Sequence, residues 1–150
     1  MGVRQFISDG SGFYMLEMNE KIPFPPPRVK IMRYMFLVLV WVFFAFIIIQ
    51  VSLAGLGLFV NGEHWEMHRT LAQYFALLPV GMLVLTFLGK LPVHLRWICL
   101  GLYLMIVAQF LTVIYSSHLG ILSALHPVIA LFLFWGSLTT VKHAHLLGGK

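Results

Sequence analysis

Four apolar stretches run through this chain, approximately Tyr34–Val60, Thr70–Leu88, Trp97–Ser117 and Leu122–Val141. Each is near the ~20 residues that a helix needs to cross the hydrocarbon core of a bilayer. A backbone inside that core must satisfy its own polar groups, and a helix does so within a single segment. The chain is therefore expected to be an all-α membrane protein with four transmembrane helices. Short connections force neighbouring helices to run antiparallel, which gives an up-down-up-down four-helix bundle. Composition agrees, since 60% of the 150 residues are hydrophobic and only 10% are charged, against the ~25% charge of a water-soluble domain.

The formal charge of +5 would suggest nucleic acid in a soluble chain. Here the basic residues flank apolar spans, where they set orientation and meet anionic lipid, so no nucleic-acid partner is expected. With the N-terminus inside, Arg4, Lys21, Arg28, Lys30, Arg33, Lys90, Arg96, Lys142 and Lys150 fall on the cytoplasmic side and Arg69 alone on the other. This bias sets both termini on the cytoplasmic side of the membrane. Residues 1–34 read as a cytoplasmic arm, 35–142 as the bundle and 143–150 as a cytoplasmic tail. The arm ends in PFPPP, Pro23 to Pro27, and prolines favour a stiff extended segment over a helix. The first apolar run starts too late and runs too long for a cleavable signal peptide. The single cysteine, Cys99, can form no intrachain disulfide, and there is no C-x-x-C-H for covalent haem attachment.

The stretch NGEHWEMHRTLAQYF at residues 61–75 gathers two histidines, two glutamates and an arginine between apolar runs. In the orientation above it forms the extracytoplasmic loop and first turn between helices one and two. An internal repeat ties it to the fourth helix: IIIQVSLAGLGLF lies over IVAQFLTVIYSS, and MHRTLAQYFALL over LHPVIALFLFW. Gln50 falls on Gln109 and His68 on His126, at spacings of 18 and 17 residues that one indel reconciles. Two repeated hairpins related by an axis along the membrane normal bring the two histidines to one depth, facing each other from helices two and four.

Two facing neutral imidazoles suit iron, and haem iron accepts one axial ligand on each face. The expected cofactor is haem b, with His68 and His126 as metal ligands in an apolar slot between the helices. Gly55, Gly57 and Gly81 leave room for a flat ligand or, equally, for close helix packing. Arg69 is the only cation on that side able to meet anionic propionates. His64, Thr70 and Trp65 can add hydrogen bonds there. Gln50 and Gln109 lie more than two turns into their helices, where an amide needs a partner. They are candidate cofactor-binding residues, with plain interhelical hydrogen bonding as the competing role. Taken alone, His64 or His118 reads as an interfacial, solvated side chain. Glu63 and Glu66 read as carboxylates favoured by a helix N-terminus. His94, His143 and His145 lie among positive charges and loop residues and receive no site. Pro79 falls inside helix two and is expected to kink it, whereas Pro127 suits the first turn of helix four.

The segments QVSLAGLGLF, MHRTLAQY, AQFLTV and LHPVIALFLFW resemble a small, uncharacterised four-helix bacterial membrane family and, more distantly, one half of the heme A synthases. The resemblance covers residues 35–142, and its most specific pieces are the His-Arg pair and the Leu-His-Pro. In the synthases each four-helix half holds a haem between a histidine of its second helix and one of its fourth, which implies His68 and His126 here. Their catalytic half also uses a carboxylate three residues before the His-Arg histidine. This chain has Trp65 there, with Glu63 and Glu66 displaced, so the resemblance carries haem binding and not the synthase reaction, and no catalytic residue is assigned.

The expected function is that of a b-type haem protein whose six-coordinate iron serves electron transfer, as a relay or accessory subunit of a larger membrane complex with a quinone or redox partner. The alternative is a non-catalytic structural or assembly subunit of a respiratory or photosynthetic complex, its histidines empty or ligating a pigment.

Overall fold

The computed structural model describes residues 4–9, 12–17 and 26–148, with side chains over 26–145. Lys21, Pro23 to Pro25 and Lys150 lie outside the described residues. In the arm, strand β1 (Arg4–Asp9) pairs antiparallel with β2 (Gly12–Glu17). The rest of the described chain is helical, and four of its spans are long and apolar enough to cross a membrane.

Helix α1 (Pro27–Phe59) begins ahead of the apolar run near Tyr34. Its N-cap is Pro26, and Pro27 sits in the first turn, where a missing N–H leaves no bond unmade. Arg28, Lys30 and Arg33 therefore stand on the helix, not on an extended arm. At 33 residues α1 is about 50 Å long by its rise per residue, well beyond the ~30 Å hydrocarbon core. Its basic first turns extend past the apolar layer.

The second span is divided. Helix α2 (His64–Phe75) ends at Ala76, and α3 (Leu78–Leu88) begins with Pro79 in its first turn. Pro79 has no N–H to offer the Phe75 carbonyl, so regular helical bonding lapses across Ala76 and Leu77, whose backbones keep a helical conformation. Helix α4 (Val93–Ile114) follows a tight turn in which Lys90 takes positive φ (49°) and the Leu91 N–H reaches the Thr86 carbonyl. A short helix α5 (Ser116–Leu119) and a 3₁₀ turn (Gly120–Ala124) then lead into α6 (Leu125–Gly148). Gly120 supplies the positive φ (52°) at this junction.

The spans close into a ring. Span one (α1) packs on α2, α3 and α6; α3 packs on α4; and α4 packs on α6. Neighbours in sequence are neighbours in space, and the first and fourth spans complete the ring, as an up-down-up-down bundle requires.

The ring is closed unevenly. Phe36, Val40, Phe43, Met82, Leu95, Cys99 and Leu102 form a dense core towards the basic end. Arg33 helps seal that end by donating from Nε to the Gly89 carbonyl at 3.0 Å. Towards the opposite end burial thins: Phe75 is the one buried residue of α2, and α5 and the 3₁₀ turn have none. Once past the break at Ala76, α2 leans on α1 and is not packed on α4 as α3 is.

Candidate cofactor site

The thinly packed end holds Gln50 and Thr112, two of the buried polar residues of the bundle interior. His68 lies on α2, one turn after His64 at the helix start, and His126 lies in the first turn of α6. Their ring centres are 6.5 Å apart with the planes inclined at 55°. The two histidines thus face each other from the second and fourth spans, the diagonal pair of the ring.

Each imidazole is held by its Nδ1. The Nδ1 of His68 is 3.1 Å from the Gln50 carbonyl. A carbonyl only accepts, so this nitrogen carries the proton. The Nδ1 of His126 is 3.0 Å from Thr112 Oγ1, whose own proton goes to the Gln109 carbonyl at 2.7 Å. The hydroxyl has no second proton to give, so it accepts from His126 Nδ1–H. In both rings the lone pair therefore sits on Nε2, and neither Nε2 has a hydrogen-bond partner among the described residues. Metal-ligating histidines are commonly oriented this way, with the other ring N–H given to a backbone carbonyl or a polar side chain.

The two anchors are equivalent in the internal repeat. One imidazole is tied directly to the carbonyl of Gln50, and the other is tied through Thr112 to the carbonyl of Gln109. Leu53 occupies in the first hairpin the place that Thr112 holds in the second.

The glutamine side chains behave differently from their carbonyls. Gln50, buried on α1, donates from Nε2 to the His68 carbonyl at 3.0 Å, which leaves its Oε1 buried and without a partner. Gln109 Oε1 is likewise buried and unpartnered. His64 is not joined to the pair, and its Nδ1 is buried without a hydrogen bond. Arg69 points outward, where NH1 meets Glu66 Oε2 at 3.0 Å with both side chains largely exposed. Trp65 stands edge-on to His68 at 5.7 Å, and its indole lies over Gly57, where a Cβ would come within 2.9 Å of the ring. Thr112 was not among the residues singled out from sequence, although its place one turn after Gln109 is the signal that could have marked it.

Ring separation discriminates between coordination geometries. A ligating imidazole nitrogen lies roughly 2 Å from its metal and about 1.2 Å from its own ring centre, so two trans imidazoles on one metal have centres about 6.3 Å apart, against about 5.2 Å at a tetrahedral angle. The observed 6.5 Å separation of ring centres is close to the trans value. Among the described residues no group of three or more His, Cys, Asp or Glu side chains is placed to hold a metal ion. The pair could supply two ligands at most, so a metal held between these rings would need its other donors from elsewhere.

Fold and site together define a four-span helical membrane protein with a facing histidine pair in the open end of its bundle. Residues 50–117 match the model of a family of unknown function, DUF6220. The matched segment includes Gln50, His68, Arg69, Gln109 and Thr112 and ends before His126. No curated protein and no solved structure matches the chain, and nothing in these comparisons links it to the heme A synthases.

Proposed function

We propose that the protein binds a b-type haem between His68 and His126 and serves electron transfer, as a relay or accessory subunit of a membrane complex. The observation that carries this reading is the 6.5 Å separation of two imidazoles whose Nδ1 protons are both committed elsewhere. Held by both histidines, haem would supply a one-electron couple suited to electron transfer rather than to oxygen binding. The chain's own residues hold and tune it. Gln50 and the Thr112–Gln109 pair occupy both Nδ1 atoms and leave both Nε2 lone pairs available, and the loosely packed end leaves α2 free to accept a flat group beside α6. Arg69, bound only to an exposed carboxylate, can turn to an anionic propionate.

We place the protein in a bacterial cytoplasmic membrane, and the excess of Lys and Arg at the end bearing the chain termini supports an orientation with that end cytoplasmic. A haem at the other face alone cannot carry electrons across the bilayer, so a quinone or a redox partner completes the path. Pyridine haemochrome analysis of the purified protein tests the reading: about one haem b per chain is expected, lost in a His68→Ala plus His126→Ala variant. Protein that is colourless as isolated and takes up no added haem would exclude it.

A second reading, a structural or assembly subunit of a respiratory or photosynthetic complex, is favoured by the outer face of the fourth span. Leu131 and Trp135 there are 70% and 71% exposed. A colourless bundle recovered only together with other membrane subunits would support it.

A further inference from the structure

At the basic end a second pair of imidazoles converges. His94 is in the first turn of α4 and His143 in the last turns of α6, and their ring centres are 5.3 Å apart at 60°. We propose that His94 and His143 form a metal site, a two-imidazole clasp for a divalent transition-metal ion that fastens the start of α4 to the end of α6.

Four observations support it. The separation matches the about 5.2 Å expected for two imidazoles at a tetrahedral angle on one metal, and is too short for the trans arrangement proposed at the other end. The Nδ1 of His143 lies 2.8 Å from the Thr139 carbonyl, which can only accept, so the proton is on Nδ1 and Nε2 is free to ligate. His94 has no hydrogen-bond partner among the described residues, so either of its nitrogens is available. The mounting is rigid, because Leu91, Leu95, Val141 and Ala144 around the pair are all buried.

The chemistry narrows the ion. No third His, Cys, Asp or Glu joins the pair among the described residues, so water fills the remaining positions and the ion exchanges readily. Arg96 and Lys142 stand one or two residues away, and their charge works against any cation. Hard ions such as Mg²⁺ or Ca²⁺, which require several oxygen ligands, are excluded, whereas Zn²⁺, Ni²⁺ and Cu²⁺ are well matched to imidazole. His145 takes no part, since its ring stands edge-on to Trp41 at 6.2 Å.

The test is a calorimetric Zn²⁺ titration of the full-length chain, free of any histidine tag, in detergent. Saturable binding is expected that weakens at least tenfold in His94→Gln and in His143→Gln and is unaffected by His145→Gln. A Zn²⁺ affinity that survives the His94→Gln plus His143→Gln variant would overturn the proposal. Should the variants fold poorly, residue-resolved diethyl pyrocarbonate modification of the unaltered protein decides. Zn²⁺ is expected to protect His94 and His143 but not His145, and equal modification of all three with and without Zn²⁺ would overturn the site.

Discussion

Gln50 and His68 hold each other by two reciprocal bonds: His68 Nδ1–H donates to the Gln50 carbonyl at 3.1 Å, and Gln50 Nε2–H donates to the His68 carbonyl at 3.0 Å. The ring of His68 is thereby fixed in tautomer and direction by the neighbouring span. The acceptor is the Gln50 backbone carbonyl and the side chain only donates, so its amide oxygen is left over, buried and without a donor. Such an atom costs about 1–3 kcal/mol to bury unpaired, so the bundle sacrifices stability at this level to hold the backbone of His68.

Replacing Gln50 by leucine is expected to remove the orphaned oxygen together with the bond to His68. The two effects oppose, so stability in a denaturant titration should change by less than about 1 kcal/mol. Haem affinity should nonetheless fall, because His68 loses the bond that positions its backbone. Equal losses in both measurements would show that Gln50 serves packing alone.

Thr112 offers a cleaner separation. Thr112→Val keeps the shape but removes the acceptor for His126 Nδ1–H, whereas Thr112→Ser keeps the acceptor. Loss of such a supporting contact typically weakens metal binding roughly 10- to 100-fold, and a drop of that order is expected for valine and not for serine. A haem titration with the reduced spectrum as readout checks it. Identical behaviour of the two variants would sever Thr112 from the site.

Much of this arrangement was legible in the sequence, and the reasons it was are physical. The bilayer fixes span length, so four helices follow from four apolar runs. A duplicated hairpin preserves spacing, so the repeat alone pairs His68 with His126. Three features were hidden. The helical start at Pro27 was masked by a run of prolines that reads as extended chain unless one of them is recognised as a first-turn residue. Thr112 was masked by the repeat itself, because its counterpart Leu53 has no hydroxyl and the comparison draws attention to glutamine. The pairing of His94 with His143 joins the start of one helix to the end of another, and no local spacing rule links such positions.

Gly57 is where the indole of Trp65 approaches α1 most closely, with 2.9 Å left for a Cβ. Gly57→Ala should push that ring aside, at a cost of roughly 1–3 kcal/mol for overpacking. The strain should be relieved in Gly57→Ala plus Trp65→Leu, giving a coupling of opposite sign in a double-mutant cycle. Additive losses would mean that the two residues do not share this contact. Since Trp65 also stands edge-on to His68, Gly57→Ala should alter haem affinity as well.

Arg69 separates stability from binding most sharply. Its ion pair with Glu66 is exposed on both sides, 66% and 71%, and pairs of this kind contribute at most about 1 kcal/mol and often nothing. Glu66→Gln and Arg69→Ala should therefore leave unfolding of the haem-free protein nearly unchanged. Their effects on haem affinity should diverge. Arg69→Ala removes the one cation at this end that can meet a propionate and should weaken binding several-fold, whereas Glu66→Gln frees that cation from its competitor and should strengthen binding slightly. Salt should diminish the Arg69 contribution, because an exposed charge contact is screened within about 10 Å at 0.1 M ionic strength. If both variants weaken haem binding equally, the pair acts as a structural clip on α2 and Arg69 makes no contact with the cofactor.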